Sequence, residues 1–312
     1  MQKQKQWFQS AMQVKGSVIP AVLGRSLVYG CLGLLVSYIH YRQGIPLHVP
    51  TLAALIPNVV LGLLLVFRTN TAYERFWEGR KLWGTLVNTV RNLARRIWFV
   101  VETDKPEKVQ QKIATLRMLV AFCVAMKLHL RSEPINDELA LLLNRDRYQE
   151  LQHIHNPPLK VAFWIANYLQ EQRDRGHIDP YQLDSLHHLL DTMVDTLGGC
   201  ERILKTPMPL AYAVHLKQLL LLYCFSLPFQ MVANLGWWTG LVTTLISFTL
   251  LGIEEIGVEI ENPFGHDPND LPLDAICATM LRNIENLIAL SPDLSIAEAM
   301  HGDKQELSQP QY

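Results

Sequence analysis

Charge is what this sequence most conspicuously lacks. Only 18% of its 312 residues are Asp, Glu, Lys or Arg, against about a quarter in an ordinary soluble domain. The deficit is concentrated: 36 residues between Lys217 and Glu254 carry no charge. As one helix they would run about 54 Å, well past the roughly 30 Å hydrocarbon core of a bilayer. The run must therefore fold back on itself. Asn234, Gly236, Trp237 and Trp238 mark the reversal, with two indoles where an interfacial aromatic belt would sit. The reading is a pair of spans near 215–234 and 238–257.

Two further stretches lack charge, Ser26 to Tyr41 and Gln43 to Phe67. The first has only 16 residues and needs Arg25 or Arg42 to snorkel if it is to span. Gly44-Ile45-Pro46 supplies a turn between them. Lys3, Lys5, Lys15 and Arg25 precede the first span without an acid, whereas the two short reversals hold only Arg42. The positive-inside rule then places both termini and the long middle section in the cytoplasm.

Other absences narrow the function. A formal net charge of −1 excludes a bulk basic nucleic-acid binder. The five cysteines, Cys31, Cys123, Cys200, Cys224 and Cys277, form no CxxC pair, so they read as buried small apolar residues. No GxxxxGK[ST], GxGxxG or GxSxG occurs, leaving no warrant for a phosphate cradle or a nucleophile elbow. No cofactor, metal or catalytic residue is expected. His153 and His155 read as loop residues before Pro157-Pro158, and the adjacent His187 and His188 as surface residues of a helix. Glu254, Glu255, Glu259 and Glu261, with His266 nearby, suggest an intramembrane glutamate protease only weakly. The spans hold no further ligating groups, and carboxylates at a membrane exit are commonly solvated or paired between subunits.

What is present is helical. The section 68–213 contains 20 of the 28 Lys and Arg and 17 acids. Apolar residues recur there at helical spacing, as in Leu82, Leu86, Val90 and Leu93, or Leu183, Leu186, Leu190 and Met193. Breaks fall at Lys105-Pro106, Glu133-Pro134, Pro157-Pro158 and Asp179-Pro180. No alternating strand pattern appears. The expected class is an all-α membrane protein of four transmembrane helices in two hairpins. Its divisions are an N-terminal segment (1–25), a first hairpin (26–67), a cytoplasmic helical region (68–213), a second hairpin (214–258) and a C-terminal segment (259–312).

Val59, Leu63 and Phe67 recur every four residues and so form one stripe on a helix. In a symmetric oligomer, such a stripe facing the axis makes an apolar constriction that can gate by dewetting. Arg68 follows directly, turned about 100° from Phe67, and is expected at a subunit contact.

The run from Phe67 through Arg68, Asn70, Tyr73, Glu74, Arg75, Phe76 and Trp77 to Gly84 resembles the second-span signature of the bestrophin family. Asn262-Pro263-Phe264-Gly265, continuing to Asp274, resembles that family's segment after the last span. The likeness covers nearly the whole chain and is strongest to short bacterial and plastid members. It implies a homopentameric ion channel with one axial pore, passing monovalent ions passively through an apolar neck. Counting from the motif landmarks, the neck falls on Val59, Leu63 and Phe67. The family's lower constriction follows an Asp-Pro step, which points to Tyr181 after Asp179-Pro180. Animal members clasp calcium with an unbroken acidic cluster; here His266, Asp267, Asn269 and Asp270, interrupted by Pro268, make a vestigial clasp.

With no charged ring, the neck selects neither sign by Coulombic attraction; the reading leans slightly to anions such as chloride, a preference that helix N-termini and chamber amides would have to supply. A cation-selective bestrophin-type channel, a non-conducting membrane scaffold and the protease remain as alternatives. The implied partners are permeant ions, the lipid bilayer and further copies of the chain, with no nucleic acid. The implied location is a cell inner or thylakoid membrane. The C-terminal helix is expected near Leu273–Leu290, followed by a polar tail.

Overall fold

Every regular element among the described residues is a helix. The computed structural model describes residues 13–44, 55–101 and 106–290, with side chains omitted at 55–57. Ile45 and Pro46 of the expected turn, the residues before 13 and the polar tail beyond Leu290 lie outside this set. The helices are α1 (Ile19–Arg42), α2 (Leu55–Val100), α3 (Pro106–Arg131), α4 (Asp137–Leu142), α5 (Arg145–Leu151), α6 (Pro157–Asp174), α7 (Pro180–Lys205), α8 (Leu210–Leu235), α9 (Thr239–Glu259) and α10 (Leu273–Ala289). They fall into two compact units, one comprising residues through Glu78 with Lys205–Asp270, the other Gly79–Leu204 with the chain from Leu271.

In the first unit, α8 and α9 form a hairpin joined by the tight 3₁₀ turn Gly236–Trp238. Gly236 takes φ +56°, a left-handed conformation that favours glycine. Its carbonyl accepts hydrogen bonds from Ser37 Oγ at 2.9 Å and Thr239 Oγ1 at 2.7 Å, so the turn is tied to α1 as well as to itself. Tyr41 stacks on Trp237 with ring centroids 6.5 Å apart. Further along, α1 packs closely on α9. A Cβ added at Gly33 would stand 2.9 Å from Gly240 Cα, so the two backbones meet where neither helix has a side chain. Small-residue contact of this kind is how helices associate where the hydrophobic effect offers nothing.

The second unit is built around α3. Both α6 and α10 pack along it, with α4 at its end. Sixteen of its 26 residues are buried, including the run Met118–Leu128. Prolines open α3, α6 and α7, where a missing N–H is harmless because the first helical turn has no use for it. Asn156 Oδ1 caps α6 by accepting the Leu159 N–H at 3.2 Å. At its other end, α3 closes with Glu133 N–H on Leu128 O at 2.9 Å and Ser132 N–H on His129 O at 3.1 Å. This is a Schellman closure, with Ser132 at φ +56° in the position glycine usually fills.

Ion pairs fasten α10 to α3. Arg117 grips Glu285 with two bonds of 2.8 and 3.1 Å. Lys127, almost wholly buried, meets Asp274 at 2.8 Å and Glu138 at 2.5 Å, while Arg131 reaches Asp274 at 3.0 Å. Burial pushes the Asp274 carboxyl up, but hydrogen bonds and charge from Lys127 and Arg131 outweigh it and hold the group at about 2. The opposite balance acts on the neighbouring Cys277 thiol, which burial pushes up to about 12.

Helices α1, α3 and the α8–α9 pair are long and apolar enough to cross a membrane. Of these, α3 is enclosed by its own unit. A helix apolar on all sides is either a span or a core element, and here protein surrounds it.

Candidate pore-lining site

The first unit places the apolar stripe of α2 on a face that its own chain leaves open. Val59, Leu63 and Phe67 are 57%, 53% and 61% exposed. The opposite face carries Leu61 and Leu65, which pack with Leu216 and Leu220 of α8. Tyr212 donates a 2.7 Å hydrogen bond to Leu64 O, pinning α2 to α8 at this level. The stripe is therefore held rigidly from behind while its apolar surface remains uncovered.

One turn on, the stripe changes character. Asn70 and Glu74 are exposed and, at 3.6 residues per turn, lie on the same face as Leu63 and Phe67. An amide and a carboxylate thus follow the apolar step. The periodicity that reveals the stripe extends to them, but an apolar search stops at Phe67.

Arg68 differs from the sequence expectation. It is only 3% exposed, enclosed by its own chain and not presented at a surface for a second subunit. Its Nη2 lies 3.4 Å from Glu261 Oε2, and its Nη1 is 3.7 Å from Met208 Sδ. Glu261 also accepts the Met208 N–H at 2.9 Å, and its carbonyl accepts Arg75 Nε at 3.1 Å. Arg75 additionally donates to the Thr206 carbonyl. The 100° turn from Phe67 carries Arg68 away from the open face and onto a carboxylate 193 residues along the chain. No local pattern announces that pairing.

The four glutamates are likewise divided among separate jobs. Glu255 pairs with Arg25, Glu259 Oε2 accepts from Asn269 Nδ2 at 2.7 Å, Glu261 serves Arg68, and Glu254 is buried. Among the described residues no three His, Cys, Asp or Glu side chains are grouped to hold a metal ion.

After Asn262-Pro263-Phe264-Gly265, whose Phe264 is fully buried, the chain makes a compact turn. Asp270 Oδ2 accepts the Asp267 N–H at 2.8 Å. Asn269 turns its amide outward as a donor, to Gly16 O at 3.3 Å and to Glu259. His266 and Asp267 are exposed. Calcium takes six to eight oxygens, and these four residues do not form such a cage.

In the second unit, Tyr181 is 89% exposed in the first turn of α7. Asp179 Oδ1 accepts the Tyr181 and Gln182 N–H groups at 2.8 and 3.0 Å and so caps the helix. His188 is exposed and His187 half-buried. His153 and His155 lie within the connection between α5 and α6.

With this geometry in place, comparison with known proteins is decisive. The family described as Bacterial/Fungal Bestrophin protein matches residues 1–286. The chain belongs to the bestrophin family. A voltage-dependent anion channel-forming protein of Nostoc sp. is 61% identical over 93% of this chain and 94% of its own length. One of the same description from Synechocystis sp. is 56% identical, covering 95% of each chain. The crystal structure of a bacterial bestrophin homologue from Klebsiella pneumoniae superposes with TM-score 0.78 at 29% identity. It covers 88% of this chain and 100% of that one. In this bestrophin, the start of the first motif block is tied through Arg68 and Arg75 to Glu261, the residue that immediately precedes the second block.

Proposed function

We propose that this bestrophin is a membrane ion channel that passes monovalent anions such as chloride through an apolar neck at the axis of a homopentamer. Family membership and the channel-forming names of its relatives support a channel over an enzyme. The single observation that carries the pore assignment is the uncovered stripe of Val59, Leu63 and Phe67, braced from behind by α8. Five copies facing inward would form an apolar ring that excludes water unless it dilates. Helices α1, α2, α8 and α9 then make four spans, with the helical region 68–213 and both termini in the cytoplasm of a cell inner or thylakoid membrane. Tyr181 is the candidate lower constriction, at the positive end of α7.

The test is single-channel recording of purified protein in a planar bilayer under a KCl gradient. Leu63→Ala and Phe67→Ala each raise conductance if they line the neck; unchanged currents in both remove the assignment. Reversal near the chloride equilibrium potential supports anion selectivity. A cation-selective channel is the second reading, favoured by the exposed carboxylate of Glu74 on the neck face. In that case reversal lies near the potassium equilibrium, and Glu74→Gln moves it toward chloride. Silence at all voltages from an intact oligomer would favour the scaffold.

A further inference from the structure

At the end of the first unit where α1 and α8 begin and α9 finishes lies a cavity of about 320 Å³. Arg25, Val28, Tyr29, Lys217, Leu220, Leu221, Leu251 and Glu254 line it. Its walls divide by chemistry: leucines, valine and tyrosine toward the helix middles, two cations at the helix starts.

Glu254 is out of place among them. It is 3% exposed, and its Oε1 is buried without a hydrogen-bond partner. A buried carboxyl oxygen that lacks a donor, on a residue that lines a cavity, is an unmet demand for a hydrogen bond. Lys217 is exposed and forms no ion pair with a described residue. Arg25 spends its Nε on Ala21 O at 3.2 Å and its Nη2 on Glu255, which leaves Nη1 to donate.

We propose that this cavity binds a phosphoglycerolipid headgroup. The phosphate sits on Lys217 and Arg25, and a hydroxyl or ammonium beyond it donates to Glu254 Oε1. An acyl chain runs along Leu220, Leu221, Leu251 and Val28. The inference rests on the membrane reading above, which puts this end of the helices at headgroup depth. Cations at that level attract lipid phosphates, and the cavity volume lies in the range of ligand sites.

The test uses the full chain purified in detergent and stripped of co-purifying lipid. It is titrated with dioctanoyl phosphatidylglycerol, and bound lipid is counted by native mass spectrometry. Binding is expected, with Lys217→Gln weakening it about tenfold, the scale of one charge-assisted phosphate contact. Dioctanoylglycerol, without phosphate, and glycerol 3-phosphate, without chains, bind more weakly than the lipid. Dioctanoyl phosphatidylcholine keeps the phosphate but has no donor; it binds less well than the glycerol lipid, and Glu254→Leu erases that difference.

Glycerol 3-phosphate binding as tightly as the lipid would make this a site for free anions and overturn the proposal. So would equal binding of the glycerol and choline lipids to the parent, or an unchanged affinity in Lys217→Gln, whose exposed position spares the fold. Current recorded from the same preparations separates the two readings. Conduction without lipid binding sinks the lipid site alone, whereas lipid binding without conduction sinks the channel alone.

Discussion

Substituting Glu261 by Gln tests whether the first motif block is tied by charge to the residue that precedes the second. Arg68 is 3% exposed, and its ionic partner is Glu261 at 3.4 Å, itself about one-fifth exposed. Removing one member of a buried pair leaves the other charge uncompensated, at about 3–5 kcal/mol. Glutamine retains an oxygen that can accept the Met208 N–H but cannot also offer a carboxylate to Arg68. The lower figure, about 3 kcal/mol, is therefore expected. At 2–4 °C per kcal/mol that is a fall of roughly 6–12 °C in apparent Tm. Arg68→Met removes the buried charge itself, so the double variant should lie well above the sum of the single losses. The coupling is at least about 1 kcal/mol for groups in contact. Thermal unfolding of the four detergent-purified proteins, followed by intrinsic fluorescence, measures the cycle. Strict additivity, or a Glu261→Gln protein melting with the parent, would refute the pairing as a stabilising contact.

Three further outcomes follow from local geometry. Ser132→Gly relieves a left-handed serine in the Schellman closure of α3 and should raise stability by about 0.5–1 kcal/mol; a lower Tm would contradict this. Asp274 titrates at about 2 in the folded protein, below the ~3.9 of an unfolded aspartate. Its contribution is thus complete above about pH 4 and lost as pH falls toward 2. Because its side chain is 64% exposed, screening keeps the effect below about 1 kcal/mol. Asp274→Asn should flatten the acid limb of a stability–pH curve without changing its neutral plateau by more than that amount. Gly33→Val places atoms against the Gly240 backbone, where even a Cβ stands at 2.9 Å; a large drop in Tm is expected, and a neutral result would mean that α1 and α9 do not pack this closely.

Much of this arrangement was legible because the governing signals are local. Prolines mark the starts of α3, α6 and α7 at Pro106, Pro157 and Pro180, since the missing N–H acts within one turn. The stripe of Val59, Leu63 and Phe67 is a matter of spacing, and its open face agrees with the spacing. Arg68 was misplaced because its partner lies 193 residues away, and helical angle says which way a side chain points without saying what waits there. The separate duties of Glu255, Glu259 and Glu261 were hidden for the same reason. Asn70 and Glu74 continue the same period but are polar, so apolar spacing alone does not reveal them.

The enclosed helix α3 also constrains how the chain is made. Over its most apolar 18 residues its mean hydropathy equals that of α1, 1.7 in each, so an emerging nascent chain offers the insertion machinery two comparable candidates. Arg117, near the middle of α3, adds about 2.5–3.5 kcal/mol to the cost of inserting it. Lys127 first finds a carboxylate in Glu138, only 11 residues later, and Asp274 arrives 147 residues after it. The helix is thus biased away from lipid by its own cations at synthesis, and its last ionic restraint closes only when α10 has been translated.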